Sequence, residues 1–206
     1  FAFFERWGAA GFAWLEEIIS YIGNEHILIA DAKRGDIGNT ARQYAMSIFD
    51  HFNFDAVTLS PYMGKDSIEP FINRSEKGVF ILCRTSNSSA DQIQGNIEDI
   101  RPVFKKVAEL ADDLNVNNNV GLVVGATAVE ELRIIRKLFP NLPMLIPGVG
   151  AQGGDLEKSV KLGNQSSCAL VNISRGISFA GDMSVKTIRS SAEDYVSKMQ
   201  SILNGK

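Results

Sequence analysis

The chain has 206 residues, 45% of them hydrophobic and 22% charged, with a formal net charge of −3. That length and mixture suit one soluble globular domain with a core of its own and no need of disulfide staples. No basic cluster invites nucleic acid, and the longest apolar stretches, such as NVGLVVGATAV, fall short of the roughly 20 residues a membrane helix needs.

The opening stretch FAFFERWGAAGF carries neither the basic region nor the cleavage site of a signal peptide. Residues 8–22 read as a helix with Phe12, Leu15 and Ile19 on one face. Six short, almost wholly apolar runs follow, at 27–31, 55–60, 78–83, 120–125, 143–147 and 167–173. Runs without polar alternation are the mark of strands covered on both faces in a parallel sheet. Helical spacing lies between them: Ala41, Ala45, Ile48, Phe49 and Phe52 form one stripe, and Val103, Val107, Leu110 and Leu114 another. Further helices are expected over 127–138, 155–163 and 184–204, and NVNNN at 115–119 reads as a polar loop. No linker or repeat is visible, so residues 1–206 read as a single domain. Cys83 and Cys168 both sit in apolar runs, as buried reduced thiols of a cytoplasmic protein would. His26 and His51 have no ligand-like spacing and read as surface residues.

Strand-then-helix units in succession restrict the fold to α/β, either a doubly wound sheet or a (β/α)8 TIM barrel. A barrel usually takes about 250 residues, and this chain opens on a helix with no strand before it. The expectation is a barrel whose first two strands are absent from the chain, with an N-terminal piece missing. PGVGAQGGD holds G-x-G-x-x-G at Gly148, Gly150 and Gly153, with Arg175 about 20 residues on. A dinucleotide fingerprint belongs on the first strand of a βαβαβ half, yet only one strand follows here, so that reading is set aside. In a barrel, the same loop and NISRGIS would follow the last two strands, where phosphate is commonly held. Glycines admit backbone N–H groups to an anion, and Arg175 would add a charged contact.

DAKRGDI then stands out. Asp31 and Lys33 are two apart and share a side of an extended strand end. Gly35 permits a turn, and Asp36 lies near the start of the next helix, where it could equally cap that helix. A lysine between two carboxylates is a cation held in place and able to give up one proton.

DAKRGDIGNT matches the D-x-K-x-x-D-I-x-x-T signature of the orotidine 5′-phosphate decarboxylase family, which the chain resembles along its whole length. FAFFERWG, SPYMGKDS, CRTSN, GLVVGAT, PGVGAQGGD and VNISRGI are similar, in order and spacing, to the family's longer sub-group. The resemblance implies a (β/α)8 homodimer that uses no metal or cofactor and turns orotidine 5′-monophosphate into uridine 5′-monophosphate. It implies that Lys33 protonates C6 and that Asp31 lies beside the departing CO₂. Asp36 and Thr40 would reach the neighbouring subunit's site. Ser86 would meet the pyrimidine edge, Gln152 would bridge base and phosphate, and Ser174 (through its backbone) with Arg175 would anchor the phosphate. The family's further aspartate and lysine, at the ends of its first two strands, have no counterpart here. A sister barrel, a Mg²⁺-dependent hexulose-phosphate synthase, shares D-x-K-x-x-D but not CRTSN or PGVGAQGGD. An inert phosphate-binding or dimerisation module is the non-catalytic alternative. Fusion to an orotate phosphoribosyltransferase is left open.

Overall fold

The computed structural model describes residues 1–150 and 152–205. The chain divides into two compact units, Phe1–Leu82 with Asp113–Gly121, and Cys83–Asp112 with Leu122–Lys206.

In the first unit a short helix α1 (Ala2–Glu5) and α2 (Gly8–Ile22) precede β1 (Ile29–Arg34), α3 (Gly38–Met46), β2 (Ala56–Leu59), α4 (Lys65–Ile72) and most of β3 (Gly78–Arg84). β1, β2 and β3 are parallel neighbours in chain order, with Ala30 opposite Val57 and Thr58 opposite Phe80. The expected α3 stripe is the buried face: Ala41, Ala45, Ile48, Phe49 and Phe52 are all interior, although a π-turn over Ser47–His51 replaces regular helix after Met46. On α2, Leu15 is buried and Phe12 stacks at 6.0 Å on Phe52. The polar loop at 115–119 is ordered by its own asparagines. Asn119 Nδ2 donates to the carbonyls of Ile72, Arg74 and Lys77, and Asn115 accepts from the Val120 N–H. α4 was not foreseen from the spacing.

In the second unit the end of β3 is followed by α5 (Asp91–Gln94), most of α6 (Val103–Leu114), most of β4 (Val120–Val124), α7 (Val129–Leu138), β5 (Met144–Pro147), α8 (Leu156–Gly163), β6 (Ala169–Asn172), α9 (Arg175–Ser178) and α10 (Val185–Leu203). β4, β5 and β6 are again parallel and in chain order. Neither unit reverses its strand order, the feature that marks a doubly wound sheet. Phe104, Leu122, Leu132, Ile135, Met144 and Ile146 make the core, each fully enclosed. Burying a side chain of this size stabilises the fold by about 1.5–3 kcal/mol. Two helix starts follow from sequence directly: Asp155 caps α8 through the Lys158 N–H, and Ser184 caps α10 through the Thr187 N–H.

Four expectations need correction. The buried α6 stripe is Phe104, Val107, Ala111 and Leu114, because Val103 is 40% exposed and Leu110 only half-buried. Burial on both faces holds for β2 and β4 but not for β1 or β6, where Leu170 is 42% exposed. Each of those two strands pairs on one side only among the described residues, so part of its surface meets solvent. For the same reason Cys168, just before β6, is exposed, whereas Cys83 is buried, its thiol pushed up by burial and donating to the Phe104 carbonyl at 3.1 Å. Lastly, β1 does not stop at Asp31 but continues to Arg34 through an irregular stretch. Both histidines are exposed, and His51 meets Glu16 at 2.8 Å.

Candidate active site

The charged cluster of the first unit lies at the carboxyl end of β1. Lys33 Nζ donates to Asp31 Oδ1 at 2.5 Å, as the two-residue spacing suggests. The backbone reaches that arrangement by an unexpected route. Lys33 itself sits at φ +47°, in the left-handed region that non-glycine residues rarely occupy. Gly35, expected to supply the turn, has no positive φ. Its service is close approach, since a Cβ there would lie 3.1 Å from the Ser60 Cβ. The Lys33 N–H donates to the Thr58 hydroxyl at 3.0 Å, and that hydroxyl donates to Asp31 Oδ1 at 3.0 Å. Burial works to raise the Asp31 carboxyl, but the hydrogen bond and charge of Lys33, with the Thr58 hydroxyl, hold it below the ordinary carboxylate value.

Asp36 is not a second partner of Lys33. Its Oδ1 accepts from the Ile37 N–H at 2.8 Å, and Ile37 rather than Asp36 is the cap of α3. Thr40 is exposed on the first turn of α3. Arg34, the next residue after the lysine, pairs with Glu5 and lies 4.9 Å over the Tyr44 ring, tying α1 and α3 to this strand end.

The second unit holds the other expected residues. Ser86 follows β3, and its Oγ donates to Gln152 Oε1 at 2.5 Å. Two glycines make room for that pair. A Cβ on Gly125 would lie 2.8 Å from the Ser86 nitrogen. One on Gly148, at φ +99°, would lie 2.6 Å from Gln152 Oε1. The loop carrying Ser86 is held from behind: Gln94 accepts from the Thr85 N–H and donates to its hydroxyl, each at 2.8 Å. Arg84 reaches Asp91 at 2.5 Å and the buried Glu131 at 3.0 Å. The glycine loop closes on itself after β5, with Gly153 donating to the Gly150 carbonyl at 2.7 Å and Gly154 to that of Gly148 at 3.1 Å. Those two N–H groups are therefore engaged within the loop rather than presented to an anion. Ser174 and Arg175 are exposed at the start of α9, and Arg175 forms no ion pair among the described residues.

Sequence reasoning missed Thr58, Gln94, Arg84 and Glu131. The available signal was polarity in apolar surroundings, as for the threonine inside DAVTLS, whose hydroxyl needs a partner once buried.

Fold and site together define an α/β enzyme with charged groups at the carboxyl ends of parallel strands, where barrel and open-sheet enzymes keep their chemistry. Comparisons specify which. Residues 1–189 match the model of the Orotidine 5'-phosphate decarboxylase / HUMPS family. Orotidine 5'-phosphate decarboxylase of Halorubrum lacusprofundi is 47% identical over an alignment that covers 98% of this chain and 76% of that protein. The solved OMP decarboxylase of Leishmania donovani is 41% identical with a TM-score of 0.88, over 98% of this chain and 78% of that one. The UMP synthase structure of Leishmania donovani is 43% identical with a TM-score of 0.90, over 98% of this chain and 45% of that one. The chain belongs to the orotidine 5′-phosphate decarboxylase family.

Proposed function

We propose that this protein decarboxylates orotidine 5′-monophosphate to uridine 5′-monophosphate in pyrimidine nucleotide synthesis, without metal or cofactor. The observation that carries this reading is the Lys33–Asp31 pair at the end of a parallel strand, in a chain that matches the family over residues 1–189.

In the reaction the bond between C6 and the substrate carboxylate breaks, CO₂ departs and the electron pair stays on C6. The Lys33 ammonium gives that carbon a proton. No ring position delocalises the developing charge, so its stabilisation falls to preorganised charges and dipoles. Asp31, ionised well into the acid range, faces the departing carboxylate and holds the ammonium in reach. Ser86 bonds the pyrimidine edge, and Gln152 bridges base and phosphate. Arg175 and the Ser174 backbone take the phosphate, whose binding energy, remote from C6, can be used for orientation and closure.

The same reading makes the molecule a single cytoplasmic (β/α)8 domain whose described strands are the last six of eight. The unpaired side of β1 and that of β6 are consistent with it. It also makes the protein a homodimer in which Asp36 and Thr40 serve the neighbouring site. In support, the Asp36 carboxylate accepts from the Ile37 N–H and not from Lys33, which leaves its second oxygen available to a neighbouring site.

The test follows loss of the ultraviolet absorbance of orotidine 5′-monophosphate with EDTA present. Turnover by the wild type and none by Lys33→Ala is expected. A strict Mg²⁺ requirement would overturn the reading in favour of the sister synthase chemistry.

A further inference from the structure

We propose that Thr58 is a positioning residue for the proton-donating lysine, its one hydroxyl setting the Lys33 backbone and the Asp31 carboxylate in a single arrangement. This rests on the reading of Lys33 as the proton donor.

Every residue of β2 is buried, and Thr58 is only 1% exposed. A hydroxyl in such a place is unfavourable unless its donor and acceptor capacities both find partners. They find them in the two neighbours of Ala32. Between Ala30 and Arg34, β1 advances four residues while β2 advances two, from Val57 to Leu59. The ladder is therefore interrupted over Asp31–Lys33, in the manner of a β-bulge. An N–H inside such an interruption has no carbonyl opposite it and must be satisfied some other way. For Lys33 the substitute is Thr58 Oγ1, at 3.0 Å. The same oxygen gives its proton to Asp31 Oδ1 at 3.0 Å, the very oxygen that Lys33 Nζ holds at 2.5 Å. One side chain thus closes a ring of amide, hydroxyl, carboxylate and ammonium.

The conformation it holds is not one a lysine adopts unaided. A φ of +47° lies in the left-handed region, where the Cβ of an L-residue crowds the following carbonyl. Such backbone persists only where its surroundings over-determine it, and it concentrates at functional sites. Without the hydroxyl, the Lys33 N–H loses its partner and the positive φ loses one of the contacts that hold it, so relaxation to negative φ, which would re-aim the side chain, becomes easier. Asp31 would lose one of the donors that hold its carboxyl down.

The experiment compares full-length wild type with Thr58→Val, which keeps the β-branched shape, and Thr58→Ser, which keeps the hydroxyl. Lys33→Ala is run beside them. Thr58→Val should lower kcat about 10- to 100-fold with KM changed less than about twofold, the scale for a reacting group misplaced by about 1 Å. Its kcat/KM profile should also lose activity at higher pH on the acid side, because the Asp31 carboxyl rises towards its ordinary value. Thr58→Ser should restore both. Should the valine variant not fold, Thr58→Ala removes the hydroxyl without setting a methyl against Asp31 and is read the same way. Unchanged kcat and acid limb overturn the proposal, as does a serine variant as impaired as valine, since the defect is then one of packing. The two readings fail separately. An active Lys33→Ala sinks the proton-donor role, whereas an inactive Lys33→Ala beside a fully active Thr58→Val sinks only the role of Thr58.

Discussion

Gly125→Ala adds one methyl group to the second unit at a point where there is no space for it. Gly125 has no positive φ, so the substitution carries no backbone penalty of the left-handed kind. Its whole effect is steric. The new Cβ would lie 2.8 Å from the Ser86 nitrogen, 2.9 Å from its Cβ and 3.0 Å from its Cα. Ordinary contact begins at 3.4 Å, so the Ser86 backbone must retreat by about 0.6 Å. Two of the three obstructing atoms are main chain, and they are anchored from behind by Gln94 on Thr85, so the strain cannot be relieved by a rotamer change. Overpacking of this kind costs about 1–3 kcal/mol. In a domain of this size each kcal/mol is about 2–4 °C of Tm. A functional effect accompanies the loss of stability, because the Ser86–Gln152 bond, 2.5 Å long, cannot follow such a shift without carrying Gln152 with it. KM for orotidine 5′-monophosphate should rise about tenfold, part of the loss of about 100-fold that a 1 Å misplacement can bring. Steady-state kinetics beside a thermal melt measures both. Gly23→Ala, at the end of α2, is the control: open space surrounds its Cβ, but φ is +64°, so it should lose stability with little change in KM. A Gly125→Ala protein with native Tm and native KM would refute the reasoning, for it would mean that the Ser86 backbone is not confined there.

Arg175→Ala should raise KM for orotidine 5′-monophosphate by about 10- to 100-fold, the worth of a charged hydrogen bond of about 1.5–3 kcal/mol, and leave turnover of phosphate-free orotidine unchanged. Equal loss on both substrates would make Arg175 structural. For the dimer, inactive Lys33→Ala and inactive Asp36→Ala are mixed and allowed to exchange subunits. A mixed dimer then has one site with both lesions and one with neither, and activity should return. No recovery after confirmed exchange would place both residues in one subunit's site.

Local pattern determined much of this molecule. Apolar runs marked all six strands to within a few residues, helical spacing marked the buried face of α3, and the helices expected over 155–163 and 184–204 are α8 and α10, whose starts Asp155 and Ser184 cap. These are legible because period and capping depend on residues within a turn or two of one another. The proximity of Asp31 and Lys33 belongs here too, since two residues of spacing suffice to bring them together. Tertiary structure decided the rest. Sequence leaves Gly35 as the natural residue for an unusual φ, yet it falls on Lys33, where the register of β1 against β2 opens a gap that Thr58, 25 residues away, fills. Asp36 looks as able to hold the lysine as Asp31, but the peptide it meets first is its own neighbour's. β6 reads as apolar as β4, and only the number of strands beside each tells covered from exposed. Ser86 finds Gln152 66 residues on because Gly125 and Gly148 yield the space, and an empty volume leaves no trace in the pattern of either segment. Register, neighbour count and free volume are properties of chain segments brought together across long separations, so no window on a single segment contains them.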